Sequence, residues 1–405
     1  MSKVIMHIDL NAFFATCEEI RDPSLAKLPV LIGHEGRSGI VSTANYVARK
    51  YGCHSGQPTF QALRACPNAK VIHPDFDYYS MMSLSFFSYL RKFTSLVEPA
   101  SIDEGYADMT ESLKGVDDPE GYFRALQQEL KNETGLSCSI GVAPTKWLAK
   151  MASDLKKPMG LTFCRRRDIA SLLYPLPIES FWGIGKKTAP RLRELGINTI
   201  GDFALKAKEN DPFLQKELGK FFFTAKEWVE GRGENEVSIT EEDPKSIGAQ
   251  ITLPFDCVSY EEVSPFLAKI ASEISTRAEK ENKKGKGVTV SVKTLDFRLH
   301  SRASTLKDST REASVIENEA AKVFLPLMEK LGNPKIRQVG ITLTKLVDPE
   351  RETVQMSLWN YEDYEKKDTT KLLIEELNRK MGKKMDAPLL KRASQAERKG
   401  SKHGN

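Results

Sequence analysis

No apolar run in this sequence approaches the roughly 20 residues that a membrane-crossing helix needs. The opening MSKVIMHIDL also lacks the basic start, apolar stretch and small-residue cleavage site of a signal peptide. A cytoplasmic location with no membrane partner is therefore expected. Cysteine is scarce: Cys17, Cys53, Cys66, Cys138, Cys164 and Cys257 are scattered, with no C-x-x-C and no histidines at metal-finger spacing. They are expected to be reduced core thiols rather than zinc ligands. There is no internal repeat at solenoid periods. Neither glycine (26 of 405) nor proline (20) is abundant enough for a collagen-like or wholly disordered chain.

What is present is a length of 405 residues with 40% hydrophobic content, enough for two to four domains with cores of their own. The net charge is only +5, but it is unevenly spread. From Tyr361 to Asn405, twelve Lys/Arg stand against eight Asp/Glu, so most of the excess sits in the tail. Basic clusters also occur at Lys146 to Lys157 and Glu281 to Lys286. Such clusters are commonly solvated faces, yet they permit a polyanionic partner.

Val4 to Asp9 is a short apolar run ending on an acid, and Phe13 to Ile20 follows at helical spacing, which reads as strand, turn and helix. Residues 29–33 and 39–42 read as buried strands, 43–51 as a helix, 138–142 as a strand and 146–155 as a helix. This alternation up to about Arg166 indicates an α/β domain. After Pro175-Leu-Pro177 come short helices broken by glycine, then one helix over 213–231, giving a small all-helical domain. Glu234 to Lys245 reads as an exposed linker. The order strand 247–253, helix 260–282, strand 287–297, helix 308–332, strand 336–346 then predicts a compact α+β unit.

Asp9 falls at the carboxyl end of the first strand. Ser101-Ile-Asp103-Glu104-Gly105 falls between two strand-like runs, 95–100 and 106–109. Carboxylates at neighbouring strand ends can hold hard cations, with substrate phosphates completing an octahedron, which suits Mg²⁺. A pair of such ions can activate a 3′-hydroxyl and stabilise departing pyrophosphate. By themselves these acids are weak evidence, since the same pattern is more often that of solvated loop acids. Tyr46 and Arg49, three apart, share a helix face and can grip a triphosphate, with Lys157 on its other side.

The segments His7-Ile-Asp9-Leu-Asn-Ala-Phe13-Phe14-Ala15, Ser42-Thr43-Ala-Asn45-Tyr46-Val-Ala-Arg49-Lys50-Tyr51-Gly52 and Ser101-Ile-Asp103-Glu104-Gly-Tyr-Ala-Asp108 occur in this order. Ser139 to Leu148 follows, then Lys157-Pro-Met-Gly160 and the Gly183-Ile-Gly185 hairpin. Over residues 1 to about 346 the chain resembles the Y-family DNA polymerases, in particular the bacterial DNA polymerase IV branch.

The resemblance implies a right-hand fold with an added little finger. The palm takes 1–12 and 76–168, the fingers 13–75, the helical thumb 169–235, a linker 236–246 and the little finger 247–348, with a basic tail at 349–405. It implies two Mg²⁺ ions held by Asp9, Asp103, Glu104 and the Leu10 carbonyl. It further implies that dNTPs meet Phe13, Phe14, Ser42, Thr43, Tyr46, Arg49, Gly56 and Lys157. Phe13 is read as a core anchor and Phe14 as a steric gate against the ribose 2′-hydroxyl. Ser42 and Gly56 make a small roof over the nascent base pair, so low fidelity and lesion bypass are expected. Asn11 replaces an acid found in many members, and Asp108 is read as structural.

Gly183 and Gly185, with Lys186, Lys187 and Arg191 beside them, have helix-hairpin-helix form suited to DNA backbone. Lys293, Arg298, Arg302 and Arg337 are further candidate contacts to primer-template DNA. Gln355, Leu358 and Trp359 resemble a sliding-clamp peptide, which would tether the enzyme to its primer. The chain is expected to work as a monomer. Two other readings are a non-catalytic DNA-binding scaffold derived from such a polymerase and a nucleotidyl cyclase. The joint presence of the carboxylates, Phe14 and the triphosphate residues weighs against the first, and the thumb hairpin and little finger against the second.

Overall fold

A computed structural model of the chain describes residues 3–240 and 243–350. Its contacts divide into two compact units, Met1–Asp243 and Pro244–Asn405. The first holds eight strands: β1 (Ile5–Leu10), β2 (Val30–Gly33), β3 (Val41–Ala44), β4 (Lys70–Ile72), β5 (Val97–Pro99), β6 (Glu104–Asp108), β7 (Cys138–Ala143) and β8 (Leu161–Phe163). Five of them form one sheet in the order β5-β6-β1-β7-β8, with β1 central and antiparallel to both neighbours. A smaller sheet has the order β3-β2-β4.

Alternation along β1 assigns its two faces. Met6, Ile8 and Leu10 join the large core with Phe13, Phe86, Phe123 and Leu126 from three helices, Phe13–Arg21, Phe76–Leu90 and Pro119–Thr134. Ile5 belongs instead to a second core with Trp147, Phe181, Phe203 and Phe222. That core joins the helix Lys146–Asp154 to the short helices of residues 178–229. His7 and Asp9 share the Ile5 face, and so point toward the Lys146 helix. All six cysteines are free and buried, as the sequence suggests.

Three elements of the first unit differ from the sequence reading. The expected helix over 43–51 is a single turn, Tyr46–Arg49, because Thr43 and Ala44 still belong to β3. Buried Asn45 caps it: its Oδ1 accepts from the Ala48 and Val30 amides, and its Nδ2 donates to Glu19 and the Leu28 carbonyl. The single helix expected over 213–231 is two, Pro212–Leu218 and Phe221–Val229, parted at Gly219, whose φ of 56° is left-handed. The linker is in part bound. The Lys146 amide donates to the Glu234 carbonyl at 2.9 Å, and the Ser238 amide donates to Glu98 at 2.6 Å.

The second unit is a four-stranded antiparallel sheet, β9 (Ser246–Cys257), β10 (Lys284–Thr294), β11 (Leu299–Thr310) and β12 (Ile336–Val347), in the order β11-β10-β12-β9. Helices Tyr260–Lys280 and Ala313–Lys330 cover one face, burying Val288, Val290, Val292, Val339 and Ile341. β11 is the element that the sequence reading lacks, and its last residues were assigned to a helix from 308. It is an edge strand of polar residues, mostly exposed, so it carries no apolar alternation to betray it.

Gly141 is where β7 meets the Lys146 helix most closely. A Cβ there would lie 2.0 Å from the Ala149 carbonyl oxygen and 2.5 Å from the Ser153 amide. Both are backbone atoms that cannot turn aside. Gly141→Ala is therefore expected to lower stability by about 1–3 kcal/mol or more, read as a fall in the urea midpoint at unchanged m.

Candidate active site

Asp9 and Glu104 are direct cross-strand partners in the β1–β6 register, so their side chains leave the same face of the sheet. Glu104 thus opens a strand rather than sitting in the turn before it. Asp103 lies in that turn, where its carbonyl accepts the Leu10 amide at 2.9 Å. The Ser101 hydroxyl donates to Asp103 Oδ1 at 2.6 Å, and Ser101 Oγ accepts from the Asp103 and Glu104 amides. One serine therefore shapes the turn and orients the carboxylate.

Two carboxylates side by side need positive charge, and the Lys146 helix supplies it. Lys150 Nζ lies 2.6 Å from Glu104 and 3.3 Å from Asp9. Lys157 Nζ lies 2.7 Å from Asp9 and 2.8 Å from Asp154. Burial pushes the Asp9 carboxyl up, to about 6, against the opposing pull of Lys157 and Lys150. Glu104 goes the other way, held below the usual carboxylate range by His7 Nε2 at 3.5 Å and by Lys150. Of these two, Lys150 is the stronger partner at neutral pH. Burial lowers the His7 pKa, and the Ser153 hydroxyl, which donates to the Lys150 carbonyl, accepts the proton on His7 Nδ1. Nε2 of the neutral ring then carries no proton, so His7 holds Glu104 down only once its ring is protonated.

Among the described residues no three His, Cys, Asp or Glu side chains converge on one point. Asp9, Asp103 and Glu104 are near neighbours, with ammonium groups on two of them. The donor set nonetheless fits Mg²⁺: it is all hard oxygen, and Lys150 and Lys157 stand where cations would be drawn.

A cavity of about 190 Å³ opens against these carboxylates, lined among others by Asp9, Asp103, Thr43, Tyr46, Arg49 and Lys157. Leu10, Ala12, Phe13 and Ser55 complete its wall. The Arg49 guanidinium lies over the Tyr46 ring at 4.8 Å and donates from Nε to the Ala44 carbonyl. Burial raises the Tyr46 phenol, which keeps its hydroxyl a donor. Phe13 is buried in the core, as read, and also touches the cavity. Phe14 stands outside the lining, stacked on Tyr79 at 4.6 Å with Phe76 edge-on. Ser42 is half-buried on β3, and Gly56, with φ 79°, has open space where a Cβ would be. Asn11 lies behind the cavity wall, where its Oδ1 accepts from the Ser139 hydroxyl at 2.8 Å and from the Tyr46 hydroxyl at 3.5 Å. Asp108 is at the opposite end of β6, bonded to Thr110 and 3.5 Å from Lys3.

Three family models match this chain. Residues 8–154 match the impB/mucB/samB family, 166–197 the IMS family HHH motif, and 244–358 the impB/mucB/samB family C-terminal domain. DNA polymerase IV 1 of Bacillus subtilis (strain 168) is 37% identical over 95% of this chain and 92% of its own length. DNA polymerase IV of Bacillus anthracis is 34% identical over 99% of this chain and 95% of its own length. The chain belongs to the DNA polymerase IV branch of the Y-family polymerases. Among solved structures, a Y-family chimera of Dbh and Dpo4 matches with TM-score 0.75 at 28% identity, covering 85% of this chain and 99% of that one. The insertion ternary complex of Dbh DNA polymerase matches with TM-score 0.56 at the same identity and coverage.

In this polymerase the residues expected on DNA are less uniform than those of the active site. Gly183 has φ 107°, and a Cβ there would lie 2.6 Å from the Phe221 ring, so glycine is required. Gly185 has open space around it, and Lys186 and Lys187 are exposed. Arg191 is engaged with Glu217 at 2.6 Å. In the second unit Arg302 opposes Val290 and so lies on the helix-covered face, whereas Lys293 alternates to the uncovered one. Arg298 pairs with Asp296 at 3.0 Å, and Arg337 stacks on Phe297 at 4.2 Å. These four do not form one basic row.

Lys150, His7, Asp154 and Ser101 were missed as contributors to the site. The signal for Lys150 is its i, i+4 spacing with Lys146 and Asp154 along a helix buried on nearly every side. In the metal-free polymerase the Asp9 carboxyl should titrate near pH 6, protonated below and charged above. Lys150→Met removes a cation that favours the charged form, so the midpoint should rise. Carboxyl-carbon NMR of the two proteins checks this, and a lower or unchanged midpoint would refute the assigned coupling.

Proposed function

We propose that this polymerase adds dNTPs to a primer 3′-hydroxyl on a DNA template, with Asp9, Asp103, Glu104 and the Leu10 carbonyl holding two Mg²⁺ ions. The observation that carries this reading is the cross-strand pairing of Asp9 with Glu104 beside the cavity that Tyr46, Arg49 and Lys157 line. Bound Mg²⁺ supplies acidification of the 3′-hydroxyl and charge relief on the departing pyrophosphate. Tyr46, Arg49, Thr43 and Lys157 bind the triphosphate, Arg through its planar fork and Lys as a point charge. Lys150 stays on Glu104 and keeps that carboxylate ionised. Glu104→Gln or Asp103→Asn is expected to slow single-nucleotide extension by roughly a thousandfold, while primer-template affinity stays within a few-fold because basic contacts elsewhere supply it.

Phe14 acts as the sugar gate. Its support is rigid: the Tyr79 ring behind it is fully buried and donates its hydroxyl to Glu18 at 2.8 Å. Phe14→Ala should raise ribonucleotide use at least about tenfold with a modest loss on deoxynucleotides. Unchanged sugar selectivity would exclude the role.

Ser42 and Gly56 roof the base pair with little bulk, which agrees with low fidelity and translesion synthesis. Residues 1–12 and 76–168 serve as palm, 13–75 as fingers, 169–235 as thumb and 247–348 as little finger. Gly183, Gly185, Lys186 and Lys187 bind template or primer backbone from the thumb. Lys293 does so from the open face of the little-finger sheet, and Arg298, Arg302 and Arg337 from its margins. The chain works as a cytoplasmic monomer; among the described residues no helix is long and apolar enough to cross a membrane. Gln355, Leu358 and Trp359 lie outside the described residues and are read as the clamp peptide. Replacing Leu358 and Trp359 by Ala should leave distributive extension intact and remove stimulation by loaded clamp.

A further inference from the structure

A cavity of about 770 Å³ opens at the end of the five-stranded sheet opposite the carboxylates. Its floor is apolar: Val4 just before β1, Val142 near the end of β7 and Phe163 at the end of β8. Leu113 and Pro119, the latter in the first turn of the Pro119–Thr134 helix, form a side wall. Four bases stand at the rim, Lys3 and the run Arg165, Arg166 and Arg167. The size lies within the range of small-molecule sites, roughly 300–1,000 Å³.

The charges at the rim are only partly balanced. Lys3 lies 3.5 Å from Asp108, and Asp168 lies 3.8 Å from Arg167 while accepting the Arg165 amide. Arg167 is 74% exposed. Asp118, beside Pro119, is turned onto the Gly121 amide of its own helix. Arg166 donates from Nε to the Gly231 carbonyl at 2.9 Å, just beyond the last helix of the thumb. None of these groups belongs to the polymerase site, and β1 and β7 run their length between the two places.

We infer that this cavity is a second binding site, for a small amphipathic anion whose apolar body lies on Val4, Val142 and Phe163 and whose phosphate or carboxylate head meets Arg165 and Arg167. A free inorganic anion would leave the apolar floor uncovered, and a neutral apolar molecule would leave the arginines unused.

The test is calorimetric titration of the full chain with decyl phosphate below its micelle concentration. One equivalent is expected to bind, with decanol and inorganic phosphate each at least about tenfold weaker. Arg165→Glu/Arg167→Glu should weaken decyl phosphate at least about tenfold, with primer extension at the wild-type rate as the check on folding. Leu113→Trp, which narrows the wall and leaves the arginines in place, should weaken it as well. Equal affinity in the double variant, or in Leu113→Trp, would overturn the proposal. So would a peptide of alternating Glu and Leu that binds through the same arginines more tightly than decyl phosphate, since the occupant would then be a protein segment.

Discussion

The register between β1 and β6 sets two carboxylates directly opposite each other on a half-buried face, and the surrounding structure answers that fact. Like charges at such a distance repel, and removal from water raises the cost of each. Lys150, itself almost buried, is the nearest compensation, and it reaches both acids because the Lys146 helix lies flat on β7 at Gly141. A residue with any side chain at Gly141 would lift that helix and take the ammonium with it. The electrostatics of the site thus rest on a steric condition at a glycine that touches no substrate.

The same helix unites the rest of the first unit. On one side Trp147 packs on Phe181 and Trp228, which ties it to the core of the short helices. At its start Lys146 lies 2.7 Å from Glu98 and 2.9 Å from Glu234. The chain leaving those helices is therefore fastened to the sheet edge at Glu98 before it departs for the second unit. Burying such a lysine is tolerable because carboxylates meet it, and loss of both would leave its charge without a partner.

Much of this was legible in the sequence because its strands are short, apolar and bounded by turns, and because Asp9, Phe14, Tyr46, Arg49 and Glu104 sit in contiguous motifs. Reading failed where a residue's role is fixed by something distant in sequence. Lys150 looks like one lysine in a basic cluster until β1 and β6 bring acids to it from 141 and 46 residues away. The 43–51 helix was overextended because β3 claims Thr43 and Ala44 through pairing with β2, a contact that local propensity does not contain. β11 was invisible for a different reason: an exposed edge strand is held by its backbone ladder to β10, and its side chains have no core to face.

The burial of every cysteine has a chemical consequence. Burial pushes the Cys17 thiol up to about 12 and Cys164 to about 11, and Cys138 rises as well. Thiolate is the form that peroxides and alkylating electrophiles attack, and it is nearly absent from such groups at neutral pH. Reagents that act through the thiolate are therefore poorly matched to these three buried thiols, which serve the cores they sit in and offer no redox chemistry.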